Sequence, residues 1–359
     1  MTVNISSDPW VALLLGQPFG SYRLVGCIGI GGFGYVFEAE HLDSGGRVAI
    51  KILKHGVAGD DVVDFENEGR LLRALAKCSG VINYIDGGTE QVQLRSLIGV
   101  TVPVDVRYHV LPIASGSLDE LVSDALARRD LGWADRIGMW RDTVVALKQM
   151  HDLGIVHRDL KSSNCLLMVR GSSAGVRLAD LGRAKNLAQS PSRSIADYVN
   201  GRGDLRFAPP EYLLFQGGYE AADFIAADYY GVGSILVELI TGFPMTASAM
   251  GDVRAVMGQA QADISMGRKR PLASLSMQYR SAVDDVIENV PRIIRDDLRV
   301  VLEYLCNPEP FRRVTSGPFS KDRAARHPLD WVIRRADIMI RRIEIQSREE
   351  RRRMRLRTA

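Results

Sequence analysis

The chain has 359 residues, 46% hydrophobic and 25% charged, with a net charge of +3. That is the make-up of a soluble globular protein that buries its own core, as two domains or as one two-lobed fold with an extension. The cysteines Cys27, Cys78, Cys165 and Cys306 form no CxxC pair, which argues against a zinc site or disulfide framework and for a reducing, cytoplasmic setting.

The start lacks a basic n-region, and its apolar run 10–15 is too short for a signal or a membrane span. Charge is uneven along the chain. Residues 321–359 hold 13 Lys/Arg against 6 Asp/Glu, so the basic character belongs to the tail and the remainder is mildly acidic.

In chain order, residues 22–28, 34–40 and 47–53 are short runs bounded by glycines and read as consecutive strands of an antiparallel sheet. Leu42-Asp43-Ser44-Gly45-Gly46 supplies a turn between the second and third. Residues 61–77 read as a helix with Phe65, Leu72 and Leu75 along one face. Two further strands are expected at 81–85 and 108–113; the stretch 87–107 exceeds the needs of a hairpin and reads as an insertion. From Ser117 onward helical patterns take over, with amphipathic helices over 133–153 and around 225–241. The change of character near residue 114 marks two lobes joined by a short hinge. Beyond Thr315 a polar link leads to a basic helical tail.

Four short segments carry chemistry. In Gly29-Ile30-Gly31-Gly32-Phe33-Gly34 the glycines lie between two strands, where a backbone without β-carbons can lie close over phosphates. A dinucleotide-binding GxGxxG opens a helix instead; a glycine-rich hairpin with no ligand stays open. In Val48-Ala49-Ile50-Lys51 the period of two puts Ala49 and Lys51 on one face. A lysine there must snorkel to solvent or find a partner. Glu68 lies on the stripe Phe65, Glu68, Leu72, Leu75 that should face the sheet; Glu66, about 200° away, is the weaker partner. His157-Arg158-Asp159-Leu160-Lys161-Ser162-Ser163-Asn164 joins an aspartate for a hydroxyl proton, a lysine for a phosphoryl group and an amide oxygen for a metal. Asp180, in Asp180-Leu181-Gly182 after the strand-like 175–179, offers a hard carboxylate that suits Mg²⁺.

In that order and spacing, the set resembles the eukaryotic-like (Hanks-type) serine/threonine protein kinases, of a bacterial-type cytosolic kind, over residues 22–313. The resemblance implies an α+β fold of two lobes: an N-terminal extension over 1–20, a β-rich N-lobe with one key helix over 21–113, a mainly helical C-lobe over 114–316 and a tail over 317–359. It implies ATP and Mg²⁺. Ile28, Gly29, Gly31 and Gly34 would cover the nucleotide; Val36, Ala49 and Leu166 would hold adenine; Pro112 and Ala114 would read its edge from the hinge. Lys51, held by Glu68, would grip phosphates. Asp159 would be the catalytic base, Lys161 the γ-phosphate contact, and Asn164 and Asp180 the metal ligands. Glu211 of Pro209-Pro210-Glu211 would pair with Arg313, and Asp228 would hold the catalytic loop's backbone. Lys161 points to Ser/Thr hydroxyls as acceptors.

The pattern has departures. Asp-Leu-Gly replaces Asp-Phe-Gly, Asp204 stands where such kinases carry a threonine, and 171–175 reads as an enlarged turn. Ser190, Ser192 and Ser194 lie in a segment where autophosphorylation, with self-association, would activate the enzyme through Arg158. The tail reads as a helix with Trp331, Ile338 and Ile345 on its apolar side, dispensable for chemistry. It either packs on the C-lobe with a solvated end or contacts anionic lipid, nucleic acid or an acidic partner. Alternatives to a protein kinase are a small-molecule kinase of the aminoglycoside-phosphotransferase type and a pseudokinase scaffold acting through the tail.

Overall fold

A computed structural model describes residues 8–32, 34–95, 101–171, 173–189, 204–313 and 327–358. Ser190, Ser192, Ser194 and Thr315 lie outside the described residues, as does Phe33. The chain divides into two compact units, residues 1–115 with 180–183, and residues 116–179 with 184–359.

Unit 1 opens with helix α1 (Pro9–Leu14), capped by Asp8, whose Oδ1 accepts the Trp10 amide at 2.8 Å. Strands β1 (Pro18–Phe19), β2 (Tyr22–Ile30), β3 (Gly34–His41) and β4 (Arg47–Leu53) follow, then helix α2 (Gly59–Ala74), then β5 (Asp86–Arg95) and β6 (Thr101–Pro112). They make one antiparallel sheet in the order β1-β2-β3-β4-β6-β5. Leu24, Phe37, Ile50, Ile52 and Val110 fill its core. Helix α2 starts without a side-chain cap, but Asp60 and Asp61 in its first turn suit the positive end of the helix dipole. It buries Phe65 and Leu72. The Phe65 ring stacks on His109 of β6 with centroids 4.1 Å apart. Burial pushes His109 down to about 4, so its ring is neutral, with Nε2 2.9 Å from the Phe65 carbonyl oxygen.

Two expectations for this unit change. Residues 81–85 form no strand, although Val81 and Ile82 are buried. The stretch expected as an insertion is the long β5–β6 hairpin, paired from Asp86↔Val110 to Arg95↔Thr101. Its inward side is set by alternation, with Val92, Val106 and Tyr108 buried.

Unit 2 is built around helix α4 (Ala221–Thr241), with α3 (Trp133–Asp152) against it. Helix α4 opens with a reciprocal cap between Glu220 and Asp223 and ends at Gly242 in the left-handed region, φ +88°. Among the described residues it is the one helix long and apolar enough to cross a bilayer, yet 83% of that window is buried within the protein. Two glycines let neighbours touch its backbone. A β-carbon at Gly231 would come within 2.7 Å of Leu160 Cβ, and one at Gly233 within 2.6 Å of Cys306 Sγ. Trp140 of α3 donates its indole N–H to the Val232 carbonyl at 2.9 Å. The turn expected over 171–175 is shorter, because Ser173–Leu178 already pairs with Cys165–Arg170.

The last helices are α5 (Arg295–Leu305) and α6 (Leu329–Thr358). Leu329, Val332, Ala336 and Met339 of α6 are fully buried, a stripe at helical spacing. The side expected to be apolar is displaced, with Ile338 39% and Ile345 56% exposed. Charge pairs account for the phase. Arg335 and Arg342 both reach the buried Asp297 of α5, and Arg141 of α3 bonds Asp337 at 2.5 Å. Trp331 meets Tyr304 edge-on at 5.0 Å. Thus the first half of α6 packs into the core along one face, and its arginine-rich tip lies open.

Val332→Ala and Met339→Ala should each lower unfolding stability by about 2–4 kcal/mol in urea titration. Deleting the tip from residue 346 should change it by no more than about 0.5 kcal/mol. Equal effects of core and tip changes would contradict this packing.

Candidate active site

In unit 1, β4 presents Lys51 and α2 presents Glu68. Lys51 Nζ lies 2.6 Å from Glu68 Oε2 and 2.9 Å from Asp180 Oδ1. Helix phase selects the partner: Glu68 is buried with Phe65 and Leu72, whereas Glu66 is 58% exposed and meets Arg107 at 3.4 Å. Burial alone would pull the Lys51 ammonium down, but the Asp180 and Glu68 carboxylates outweigh it and hold it above its usual range. Burial pushes Glu68 up, against the pull of Lys51. The segment bearing Asp180 is fastened to α2: Asn67 Nδ2 donates to the Gly182 carbonyl at 3.0 Å, and Glu68 accepts a backbone bond from Leu181. Asp180 itself has φ +60°, a conformation that non-glycine residues seldom adopt.

The glycine-rich turn joins β2 to β3. Gly31 N–H donates to the Gly34 carbonyl at 2.8 Å. A β-carbon at Gly34 would come within 2.9 Å of the Ile52 carbonyl oxygen, so a larger residue there would push the hairpin off β4. Gly29 pairs with Val36, and Val36 with Lys51. Ala49 pairs with Glu38 and Leu111. Ile28 is 49% exposed beside the turn. Pro112 closes β6, and Ala114 follows, half-buried.

In unit 2 the loop 157–164 hangs from one carboxylate. Asp228 of α4, 1% exposed, accepts the backbone N–H groups of His157 and Arg158, each at 2.8 Å. It also lies 2.9 Å from His151 Nε2. Arg158 is held at φ +65°, a strained value that these bonds sustain. The loop therefore turns its next residues together. Lys161 Nζ bonds Asp159 Oδ2 at 2.9 Å, and Asn164 Nδ2 donates to the Asp159 carbonyl at 2.8 Å. With its amide nitrogen engaged, Asn164 has its oxygen for a cation. Leu166 follows, half-buried on the strand Cys165–Arg170. Asp204 is gripped by Arg206 through both oxygens, at 3.0 and 2.5 Å. Burial works against its charge, but Arg206 and, more weakly, Lys161 hold it below the usual carboxylate range. Glu211 and Arg313 form a two-pronged pair at 2.8 and 3.0 Å, almost wholly buried. Removing one partner of such a pair costs about 3–5 kcal/mol.

Lys51, Glu68 and Asp180 thus come together in unit 1, and Asp159, Lys161 and Asn164 in unit 2. Among the described residues no group of three or more His, Cys, Asp or Glu could hold a metal ion by itself. Asn164 in unit 2 offers an amide oxygen and Asp180 in unit 1 a carboxylate, each a donor type that suits a hard divalent cation. Sequence reasoning missed His151 as a partner of Asp228, and it missed Glu238, a buried α4 carboxyl whose Oε2 has no partner. Neither has a spacing rule that would reveal it.

A family model described as protein kinase domain matches residues 22–328. A probable serine/threonine-protein kinase of Clostridium perfringens is 28% identical over 233 residues, 64% of this chain and 30% of its own length. A leucine-rich repeat receptor protein kinase of Oryza sativa subsp. japonica is 28% identical over 304 residues, 82% of this chain and 21% of its own. A G-type lectin S-receptor-like serine/threonine-protein kinase of Arabidopsis thaliana is 27% identical over 227 residues, 62% of this chain and 24% of its own. The chain spans less than a third of the length of each.

Glu238 gives a pH test of the loop's support. Burial first, then the Asp119 and Asp204 carboxylates, push it up to about 7, against a hydrogen bond from Ser162 and the charge of Arg206. Its folded value exceeds the unfolded 4.5, so its contribution is complete below that pH and is lost as pH rises through about 7. Glu238→Gln should therefore gain stability relative to the parent between about pH 5 and about pH 8, by up to roughly 3.5 kcal/mol at about 1.4 per pKa unit. Parallel stability curves for the two proteins would rule this out.

Proposed function

The chain belongs to the protein kinase domain family, and on that premise we propose that it transfers the γ-phosphoryl group of ATP to serine or threonine hydroxyls of proteins. Membership implies ATP as donor, a divalent metal ion and protein acceptors. The finer reading takes the metal as Mg²⁺, coordinated by Asn164 and Asp180. The observation that carries it is the loop geometry. Asp159 is set beside a cation, Lys161, and an amide, Asn164, on a backbone tied down by Asp228.

In this reading Asp159 orients the acceptor hydroxyl and takes its proton. The hydroxyl oxygen bonds to the γ-phosphorus as the bond to the β,γ-bridging oxygen breaks, and ADP leaves. Lys161 offsets charge on the moving phosphoryl oxygens. Lys51, kept cationic by its carboxylates, grips the α- and β-phosphates once they compete with Asp180. Ile28, Gly29, Gly31 and Gly34 would cover the nucleotide. Val36, Ala49 and Leu166, with the backbone at Pro112 and Ala114, would receive the base. Acceptors with Ser/Thr follow from Lys161 and agree with two of the relatives being named serine/threonine-protein kinases. A cytoplasmic site suits the four free cysteines. The exposed arginines of the α6 tip would serve an anionic partner, whether lipid, nucleic acid or acidic protein.

Incubation with γ-labelled ATP and Mg²⁺, followed by mass spectrometric mapping, should show phosphoserine or phosphothreonine on protein acceptors and none after chelation. Lys51→Ala and Asp159→Ala should each lower the rate at least about 100-fold while circular dichroism stays unchanged. Glu68→Gln should lose most activity and Glu66→Gln should keep it; the reverse order would refute the assignment of Lys51's partner.

Activation by autophosphorylation of Ser190, Ser192 and Ser194 is part of the same proposal. Dephosphorylated enzyme should show a lag that prior incubation with ATP removes, and the triple alanine variant should stay slow. Identical time courses would assign activation elsewhere.

A further inference from the structure

The N-terminal extension is joined to the glycine-rich turn by a short relay of side chains. Helix α1 buries Val11 and Leu14 in the same core as Tyr35 and Phe37, so it is part of unit 1 rather than a loose leader. Capping α1 requires one oxygen of Asp8, and Oδ1 accepts the Trp10 amide. Both oxygens also lie within bonding distance of the Tyr35 hydroxyl, at 3.2 and 3.1 Å. Tyr35 follows Gly34 directly on β3 and is 4% exposed.

Lys54, the first residue after β4, continues the relay. Its ammonium lies 5.1 Å from the centroid of the Tyr35 ring. It donates to the Gly31 carbonyl at 2.7 Å and lies 3.5 Å from the Gly32 carbonyl. The Trp10 ring packs 5.4 Å from His55, the next residue, so α1 braces this corner twice. Apolar packing of α1 alone would need neither a hydroxyl on Tyr35 nor a carboxylate facing it. Burial, then the hydrogen bond and charge of Asp8, push Tyr35 up to about 12.

A glycine-rich turn is flexible, and ordering it over phosphates costs conformational entropy unless it is ordered beforehand. We propose that residues 8–15 are a strap that holds the glycine-rich turn in its phosphate-gripping pose, with Asp8, Tyr35 and Lys54 as positioning residues for nucleotide capture. The proposal rests on the reading of the turn as an ATP site. It concerns ATP capture rather than phosphoryl transfer, because none of the three residues belongs to the Asp159 cluster.

The test uses the full chain and the variants Asp8→Asn, Tyr35→Phe and their combination. Asparagine remains a good helix cap and phenylalanine keeps the ring under Lys54, so both spare the fold. Each single change should raise KM for ATP about 3–10-fold, the worth of one hydrogen bond, with kcat within about twofold and KM for the protein acceptor unchanged. The double variant should be no worse than the worse single one, because the pair acts as a unit. Hydrogen exchange at the amides of residues 29–36, measured without nucleotide, should quicken in all three. Unchanged exchange overturns the strap. Faster exchange with an unchanged KM for ATP overturns its role in nucleotide capture. Wild-type protein that transfers no phosphate defeats the kinase reading and the nucleotide role with it, while the exchange data still report on the strap by themselves.

Discussion

One buried carboxylate sets the geometry of unit 2. Asp228 sits on α4, a helix buried along most of its length, and two adjacent backbone N–H groups of the loop bond to it. A carboxylate so deep is tolerated only when hydrogen bonds replace its lost hydration. The loop supplies those bonds and in return adopts a backbone turn that Arg158 would not take unaided. Side chains along the loop then have one place to go, which is why Asp159, Lys161 and Asn164 meet. Gly231 completes the arrangement, because its bare backbone lets Leu160 settle against the helix.

Unit 1 answers the same problem with opposite charge. Lys51 emerges from the middle of an apolar strand and is stabilised by two carboxylates of different character. Glu68 is sealed, 1% exposed, whereas Asp180 is 32% exposed and stands on a backbone with positive φ. The sealed partner fixes where the ammonium sits. The open partner is the one that solvent reaches. A single lysine can thus be both anchored and available.

Much of this was legible in the sequence, for physical reasons that differ by residue. Asp159, Lys161, Asn164 and Asp180 stand out because phosphate chemistry demands particular charges in short, ordered strings. Glu68 was distinguishable from Glu66 by helical phase alone. The β5–β6 hairpin was missed although Val102, Val104, Val106 and Tyr108 alternate in plain view; the polar run before them masked its partner strand. The buried side of α6 was misplaced because seven-residue spacing marks two neighbouring stripes equally well, and Asp297, distant in sequence, decides between them. Contacts such as Asp8 with Tyr35 join residues 27 apart, for which no periodicity exists.

Helix α6 also separates two notions of a domain that usually coincide. The stretch that matches the kinase family ends at residue 328, and the helix begins at Leu329. Inheritance and folding therefore draw different borders on the same polypeptide. The matched stretch ends just before a helix that buries Leu329, Val332, Ala336 and Met339 in this chain's own interior. Removing the helix would uncover the apolar surface that Leu329, Val332, Ala336 and Met339 now cover. The helix is thus part of the folded interior although it lies outside the matched stretch.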